Sequence, residues 1–458
     1  MKIRVGASGY GPASALAIAL ACGWVQPALA ENTGTGGVAE ELATMRAEMA
    51  RMGARIQTLE GELEQAETQI DAVAAKAAEA APAAKSDTQV QWKGAPKITG
   101  PGGWSFKPRG RLQYDAGSVS VPNSTGRSEG FGNEVRRARL GVEGDIPGGF
   151  GYKFELDFAG NDTEITDAIL TYKDGDVKVS VGQHNTFQSL EELSSSRFIT
   201  MLERAAFTDA FGFERRVGAS VQFNSGDILV QGGVFTDNID DLSNKKWSVD
   251  GRVVAMPKLG SAQLHLGASA HFADLEPGDT IRYRQRPAVH FTSERFINTG
   301  NFAATSETGI GLEAAAISGP FHFAAEGFWQ SAKRPGGLDD VTFFGGYAEA
   351  GIFLTGGDSR GYKKGKFGRV KPANPVDEGG IGAVQFNVRY DHLDLNDGPI
   401  VGGQQDGFLA SLIWTPTDYT RFMLNYAKLN YDDAVFAAAG GDTSYSVDSF
   451  GVRAQIDF

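Results

Sequence analysis

Apolar and polar side chains alternate along the chain from residue 104 to residue 458. In the clearest segment, one face carries Trp104, Phe106, Leu112 and Tyr114, and the other carries Lys107, Arg109, Arg111 and Gln113. Similar runs recur at 137–146, 152–158, 263–272, 384–391 and 450–458. Successive side chains of a strand point to opposite faces, and a tilted strand crosses a bilayer in about 9–11 residues. The pattern therefore predicts strands with one face toward lipid and the other toward water.

The connections between these runs are alternately short and long. Short, turn-like ones lie at 147–149, 174–175, 224–226, 257–260, 318–320 and 415–417, and longer polar ones at 116–133, 184–212, 236–245, 274–305, 331–340, 395–404 and 432–443. This arrangement is typical of bacterial outer-membrane barrels. We therefore predict an all-β fold over 104–458, a 16-stranded antiparallel transmembrane β-barrel. Segment 356–380 is long yet falls on the short-turn side, so either a strand is miscounted there or that turn carries an excursion.

A soluble β-sandwich also alternates, so it is the competing fold. Aromatic residues favour the barrel, because they cluster near the ends of the predicted strands, as the interfacial girdles of membrane barrels do. Examples are Trp104, Tyr114, Tyr152, Phe158, Trp247, Trp414 and Phe458.

A different period governs residues 38–80. Apolar residues recur there at intervals of three and four, at Leu42, Met45, Met49, Met52, Ile56, Leu59, Leu63, Ala66, Ile70 and Val73. Heptads of this regularity predict a coiled coil, preceding the barrel, that associates with copies of itself. A solvated single helix is the alternative. The heptads alone do not decide the number of strands in the coil.

The first 30 residues are typical of a secretory signal peptide, with Lys2 and Arg4 before an apolar core and Ala28-Leu29-Ala30 before Glu31. The only cysteine, Cys22, falls within it, and a lipoprotein signal there is a weaker alternative. We assign 31–80 to the periplasmic coiled-coil segment and 81–103 to a linker, since 80–87 is rich in Ala, Pro, Lys and Ser.

Composition narrows the functions further. The chain has 60 Gly and 29 Phe and a net charge of −13, which argues against disorder and against a nucleic-acid partner. Histidines 184, 265, 271, 290, 322 and 392 are scattered without metal-ligand spacing, and no Gly-x-Ser-x-Gly occurs. We therefore predict no catalytic residues, no metal and no cofactor. A barrel-embedded hydrolase with an inward Ser/His pair is a remote alternative.

The predicted water-facing side is rich in basic residues, and charges lining a narrow pore attract anions. The candidate anion-binding residues are Lys107, Arg109, Arg111, Arg137, Arg139, Arg216, Arg389, Arg421 and Arg453. The alternative is that these cations pair with Glu143, Asp145, Glu155 and Asp157 on neighbouring strands. Loop 184–212 is the predicted constriction, and its candidate residues are Asn185, Glu191, Glu192, Arg197 and Arg204.

Several motifs resemble one family. The runs "FKPRGRLQYDAG" (106–117), "RRARLGVEGDIPGGFGYKFELDFA" (136–159), "VGQHNTFQSLEELSSSRFITMLERA" (181–205) and "FGRVKPANP" (367–375) are similar to those of the phosphate-selective porin O and P family. The resemblance implies a trimeric porin with an inward-folded loop and basic ladders that guide phosphate or polyphosphate. Arg109, Arg111, Arg136, Arg137 and Arg139 match the basic positions of these motifs. Members commonly carry a lysine and then a proline where this chain has Asn185 and Phe187.

The sequence therefore predicts a porin for passive diffusion of small anionic solutes such as phosphate. It would be a homotrimer in outer-membrane lipid, with the coiled coil in the periplasm and in contact with peptidoglycan through residues 38–80. Two other functions stay open at this stage. One is a general small-solute porin, and the other is an envelope anchor that links the outer membrane to the cell wall through the coiled coil.

Overall fold

The computed structural model describes residues 37–80, 88–127, 130–242 and 245–458. It separates into two units, with the division after Lys85. The predicted signal peptide at 1–30, with Cys22, lies outside the described residues, as do residues 81–87 of the predicted linker.

The first unit contains one long helix, α1, Gly37–Ala80. Its apolar stripe lies on the surface: Ile56 is 55% exposed, Leu63 63% and Ile70 66%. Among the described helices, none has both the length and the continuous apolar character needed to cross a bilayer.

The second unit is a closed barrel of 16 long antiparallel strands. In chain order the strands are β1 Ser105–Ser120, β2 Gly130–Ile146, β3 Phe150–Asp157, β4 Glu164–Asp174, β5 Val177–Asn185, β6 Arg215–Ser225, β7 Ile228–Phe235, β8 Trp247–Ala255, β9 Ala262–Asp274, β10 Ser306–Ser318, β11 Phe321–Lys333, β12 Val341–Phe353, β13 Ala383–Asp397, β14 Ile400–Thr417, β15 Thr420–Asp432 and β16 Tyr445–Asp457. Each strand pairs with the next along the chain, and β16 pairs with β1. The predicted barrel and its strand number are confirmed, and this closure excludes the sandwich.

The two faces of the strands differ as the alternation predicts. On β1, Leu112 and Tyr114 are 46% and 44% exposed on the outside, whereas Gln113 and Asp115, which alternate with them, are buried. The outer face therefore presents apolar side chains to lipid, and the inner face holds the polar side chains.

The shorter elements lie in the connections. Within the predicted linker, Gln89–Lys93 and Ala95–Thr99 form a hairpin that continues onto β1 through the pair Ile98 and Phe106. Short strand pairs join Thr280–Ile281 with Phe302–Ala303, Arg284–Gln285 with Ile297–Asn298, and Gly361–Tyr362 with Phe367–Gly368, and Lys258–Leu259 pairs onto β9. Single 3₁₀ turns lie at Pro101–Gly103, Asn123–Thr125, Ile239–Asp241, Val376–Glu378 and Ala439–Gly441.

Two connections differ from the simple expectation. The predicted loop 395–404 is a tight turn at Gly398 and Pro399, because β13 and β14 continue pairing as far as Asp397 and Ile400. Segment 356–380 is an excursion between β12 and β13, with no strand miscounted. The parity of short and long connections is therefore kept around the barrel.

The seam between β1 and β16 depends on a glycine. The backbone N–H of Phe458 donates to the carbonyl oxygen of Gly110 at 3.0 Å, and the N–H of Gly110 donates back at 3.3 Å. A Cβ atom at Gly110 would overlap the ring of Phe458. The aromatic ring therefore occupies the space that a side chain would take.

We expect Gly110→Ala to destabilise the barrel by about 1–3 kcal/mol, because it forces extra volume against a packed ring. The temperature at which the folded band is lost in SDS electrophoresis measures this. Gly251→Ala is the matched control, since a Cβ there meets no atom within 4 Å. Equal melting temperatures for the two variants would contradict the prediction.

Candidate functional site

A cavity of about 920 Å³ lies inside the barrel, between the inner wall of β1–β7 and the long connection from β5 to β6. Basic residues outnumber acidic ones in its lining. The basic residues are Arg109, Arg111, Arg136, Arg137, Arg139, Lys153, Lys178, Arg197, Arg204, Arg215, Arg286 and Lys366, and the acidic ones are Glu155, Glu164, Asp167, Glu192, Glu203, Asp209, Glu214, Asp240 and Asp241.

A β-bulge brings two consecutive arginines to the cavity. Opposite Gln113 and Tyr114 the register of β2 shifts, so that Arg137 pairs with Gln113 while Val135 pairs with Tyr114. The extra residue of a bulge breaks the alternation of faces. Arg136 and Arg137 therefore both line the cavity, which strict alternation does not allow.

Most of the predicted anion-binding arginines are held in ion pairs. Arg109 pairs with Glu143, and the Nε of Arg139 lies 2.7 Å from Asp157. These contacts are the cross-strand pairs of the alternative interpretation.

Arginines on three other strands are also ion-paired, namely Arg453 on β16, Arg389 on β13 and Arg216 on β6. The Nη2 atom of Arg453 lies 2.6 Å from Asp115. The Nη2 atom of Arg389 lies 2.7 Å from both Glu191 and Glu349. Arg216 lies 3.6 Å from Glu214 and outside the lining of the cavity.

Two cavity-lining arginines are held by neutral groups instead. Arg111 donates to the Ser196 hydroxyl at 2.7 Å, and Arg137 donates to the Gln113 amide oxygen at 3.0 Å. Within the described ranges, no carboxylate lies within 4.0 Å of either guanidinium as an ion-pair partner. Their positive charges are therefore positioned but not neutralised.

Two other predicted sites differ from this pair. Arg421 also lacks an ion pair in the described part of the chain, but it donates to the carbonyl oxygens of Arg197 at 3.1 Å and Ile199 at 2.6 Å. Its donors therefore hold the loop. Lys107 has no ion pair among the described residues and does not line the cavity.

The connection 186–214, which we call the inner loop, contains two short helices, α2 Leu190–Leu193 and α3 Ala206–Ala210. Glu326 on β11 accepts the N–H groups of Leu190 at 2.8 Å and Glu191 at 2.7 Å. Asp391 on β13 accepts the N–H of Ala206 at 3.1 Å. Carboxylates are favourable at the start of a helix, where N–H groups lack partners. These two acids bind the inner loop to the wall formed by β11 and β13.

Side chains of the inner loop add further contacts. Thr200 donates to Glu349 at 2.6 Å, and Arg197 lies 3.1 Å from Asp457 on β16. Arg204 lies 3.2 Å from Glu192 and donates to three backbone carbonyls of the loop. The inner loop therefore contacts β11–β13 and β16, reaches β1 and β2 through Ser196 and Glu203, and leaves the cavity between itself and β1–β7. Asn185 lines that cavity at the end of β5.

Two loop carboxylates illustrate how charge is balanced here. Burial raises the pKa of Glu192 despite the nearby Arg204 guanidinium. Burial would also raise the pKa of Glu203, but the positive charge of Arg136 and its two hydrogen bonds with this carboxylate hold that pKa well below the ordinary value. Glu203 is therefore ionised and neutralises Arg136, which leaves Arg137 beside it as the free cation.

The excursion 354–382 enters the lumen from the short-turn end. Arg360 lies 2.6 Å from Glu349, and its guanidinium lies over the ring of Phe367. The N–H of Phe367 donates to Ser194 of the inner loop at 3.1 Å, so the two segments touch inside the barrel. The sequence signals for this segment were its excess length and the motif "FGRVKPANP" at 367–375, and neither predicted its position in the lumen.

The tip of the excursion places Lys366 in the cavity lining. Arg252 on β8 donates to the carbonyl of Gly365 at 2.9 Å, and Gly365 has a φ of +71° and no room for a Cβ against Leu229. The positive φ and the close approach of Leu229 both explain why a glycine precedes Lys366. Lys366, Lys178 and Arg215 line the cavity but were not among the residues predicted from the sequence.

No cluster of three or more metal-ligating side chains occurs among the described residues. The geometry is that of a water-accessible lumen with uneven charge. An antiparallel barrel with an apolar exterior and a charged interior is the architecture of bacterial outer-membrane barrels, the class that includes the porins.

Comparison with known proteins identifies the family. The model of the phosphate-selective porin O and P family matches residues 106–458, so the chain belongs to this family and the resemblance in the motifs is confirmed. An uncharacterized protein of Caulobacter vibrioides is 45% identical over 451 residues, which cover 92% of this chain and 91% of that protein.

Solved structures are more distant in sequence. An anion-selective porin from Comamonas acidovorans is 14% identical, with a TM-score of 0.49, over 78% of this chain and 100% of that chain. The outer membrane channel DcaP of Acinetobacter baumannii is 15% identical, with a TM-score of 0.46, over 79% of this chain and 99% of that chain.

The charge of Lys366 should make conduction depend on pH. The surrounding barrel removes bulk water from this ammonium, and Lys178 and Lys153 repel its charge, which lowers its pKa to about 8. The group is therefore charged below that pH and neutral above it. We expect the anion preference, measured as the reversal potential across a planar bilayer, to fall as pH rises from 7 to 9.

Variants isolate this group. Lys366→Gln should lack the step near pH 8, whereas Lys366→Arg should keep the anion preference across the whole range, since a guanidinium stays protonated. If both variants kept the pH profile of the unmodified protein, the pH dependence of the anion preference would arise from a group other than Lys366.

Proposed function

We propose that this porin favours small anionic solutes, which cross through the cavity between the inner loop and the wall of β1–β7. The observation that carries the proposal is the pair Arg111 and Arg137. Both line the cavity, and both are held by neutral hydrogen-bond acceptors. Ion-paired arginines largely cancel their own field, whereas these two add a net positive charge to a confined space.

The inner loop supports a narrowed path. Its hydrogen bonds with Glu326, Asp391 and Glu349 are buried, and leaving a buried donor or acceptor unpaired is costly. We propose that the loop stays in place during conduction and sets the width of the pore. Solutes would then pass close to Ser196, and so close to Arg111.

Phosphate or polyphosphate is one candidate solute within this proposal. The family description and the basic lining support it. Asn185 and Phe187 replace the lysine and proline that the motif commonly carries, which removes one candidate phosphate contact. We therefore propose a broader anion preference with phosphate as one of its solutes.

Replacing the free pair tests the preference. In the double variant Arg111→Gln with Arg137→Gln, we expect the anion-to-cation permeability ratio to fall by about tenfold, since a cleft of one charge sign concentrates counter-ions by that order. Reversal potentials in planar bilayers under a potassium chloride gradient measure the ratio. Phosphate competition with chloride current in the same bilayers tests the solute.

Arg216→Gln is the matched control, because Arg216 is an arginine outside the cavity lining. Its ratio should equal that of the unmodified protein. Open channels with no anion preference before any substitution would support the general small-solute porin instead. Bilayers that stay closed under voltage would favour the envelope anchor, in which α1 contacts peptidoglycan.

We also propose that α1 associates with copies of itself to form a homotrimer in the periplasm. Its exposed apolar stripe supports this, since a stripe of heptad spacing is stable in water only when copies cover it. The same stripe does not require a trimer, so the number of copies is part of the test.

The triple variant Ile56→Ser, Leu59→Ser and Leu63→Ser should lower the temperature at which the oligomer dissociates in detergent by several degrees. The control changes Gln57, Glu64 and Gln65 to Ser, which costs similar helix propensity away from the stripe. Mass measurement by light scattering gives the number of copies. An unchanged melting profile in the stripe variant would remove this role.

A further inference from the structure

The cavity has a second region that the anion preference does not explain. Beyond the arginines of β1 and β2, its wall on β5–β7 carries neutral polar side chains. Ser180, Asn185, Ser220, Gln222 and Gln231 all line it. A pathway for simple inorganic anions needs charge, but it does not need hydroxyls and amides in a group.

The register brings these groups into adjacent rows. Lys178 on β5 lies opposite Gln222 on β6, which lies opposite Gln231 on β7. In the neighbouring row, Ser180 lies opposite Ser220. Residues directly opposite on one face are about 5 Å apart, so the rows form a continuous polar surface.

Part of this surface has unused hydrogen-bonding capacity. Gln222 accepts a hydrogen bond from Gln231 at 3.1 Å, but its own amide N–H₂ has no partner among the described residues. In the same described ranges, the side chains of Ser180 and Asn185 have no hydrogen bond. Ser220 is different, because its hydroxyl is held 2.7 Å from the Nε2 atom of His184. Gln222, Ser180 and Asn185 thus present hydrogen-bonding groups without a partner to the cavity.

The size of the cavity supports an organic solute. Its volume of about 920 Å³ lies within the range of about 300–1,000 Å³ that small organic ligands occupy. Lys178 and Lys366 stand at the polar region without an ion pair among the described residues, so an anionic group is also tolerated there.

We infer that the cavity recognises polyhydroxylated organic anions, such as sugar acids or sugar phosphates. The anionic group contacts Arg111 and Arg137, and the hydroxyls exchange hydrogen bonds with Ser180, Asn185 and Gln222. This inference rests on the proposed anion preference and names the solute class. Neutral groups that match a solute's hydroxyls discriminate strongly against an analogue without them, because their own hydrogen bonds are then left unmade.

The test compares two anions of equal chain length and charge. Gluconate carries hydroxyls along a six-carbon carboxylate, and hexanoate carries none. In planar bilayers at pH 7, with chloride replaced by either anion, gluconate should be the more permeant by about fivefold, the order expected for one or two neutral hydrogen bonds. Equal permeability, or a preference for hexanoate, would overturn the inference.

Variants of the polar surface locate the effect. Gln222→Met with Ser180→Ala should reduce the gluconate-to-hexanoate ratio to about one while leaving the chloride-to-potassium ratio unchanged. Asn185→Ala is a second variant, at the end of a strand, in case the first fails to assemble. Equal chloride conductance shows that each variant forms a channel. If the solute ratio persists in every conducting variant, these residues do not recognise hydroxyls.

The two proposals fail in different ways. The chloride-to-potassium permeability ratio of the double variant Arg111→Gln with Arg137→Gln tests the anion preference. The gluconate-to-hexanoate permeability ratio tests the polar surface. A second comparison uses block of chloride current by glucose 6-phosphate and by inorganic phosphate. Stronger block by the sugar phosphate extends the class to phosphates. Equal block by the two phosphates restricts the solute class to sugar acids if gluconate is still more permeant than hexanoate. If gluconate and hexanoate are also equally permeant, the inference is overturned.

Discussion

The whole barrel depends on one constraint, that no backbone N–H or C=O group can stay unpaired in a bilayer. A sheet satisfies this only when its last strand pairs with its first, as β16 does with β1. Closure gives the sheet an inner and an outer face, so side chains that alternate along each strand point in turn to lipid and to the water-filled lumen. Every polar side chain on the inner face then shares a confined space with its neighbours across the lumen.

In that confined space, charges must be balanced or solvated. The described lumen meets this requirement unevenly. On β11–β13, acids bind the start of short helices and the guanidinium of Arg389. At β1–β2, Glu203 of the inner loop neutralises Arg136 but makes no ion pair with Arg137. The imbalance leaves Arg111 and Arg137 without an ion pair at the cavity between the inner loop and β1–β7. Fixing a loop and creating a positive channel are thus two results of one charge distribution.

The sequence predicted what strand periodicity controls. The barrel, the strand number and the inward direction of Arg111 and Gln113 follow from alternation between Trp104 and Asp115. It did not predict the second inward arginine at the bulge, since an inserted residue changes parity without a local signal. Nor did it predict the contacts of Glu326 or Asp391 with the inner loop, because these join residues 136 and 185 positions apart. Lys366 was missed because an excursion from a turn carries no period.

The contact between Phe367 and Ser194 has a further consequence. One segment enters from each rim of the barrel, and each presents polar backbone or hydroxyl groups to the other. The two segments are therefore energetically coupled, so the loss of stability on shortening both would differ from the sum of the losses on shortening each alone. By the reciprocity of linked equilibria, a molecule that binds the excursion on one side of the membrane would alter the stability of the loop that opens to the other. The two rims of the barrel are therefore joined mechanically through contacts that include this hydrogen bond and the Arg369 guanidinium over the ring of Phe198, independently of any solute that passes between the compartments.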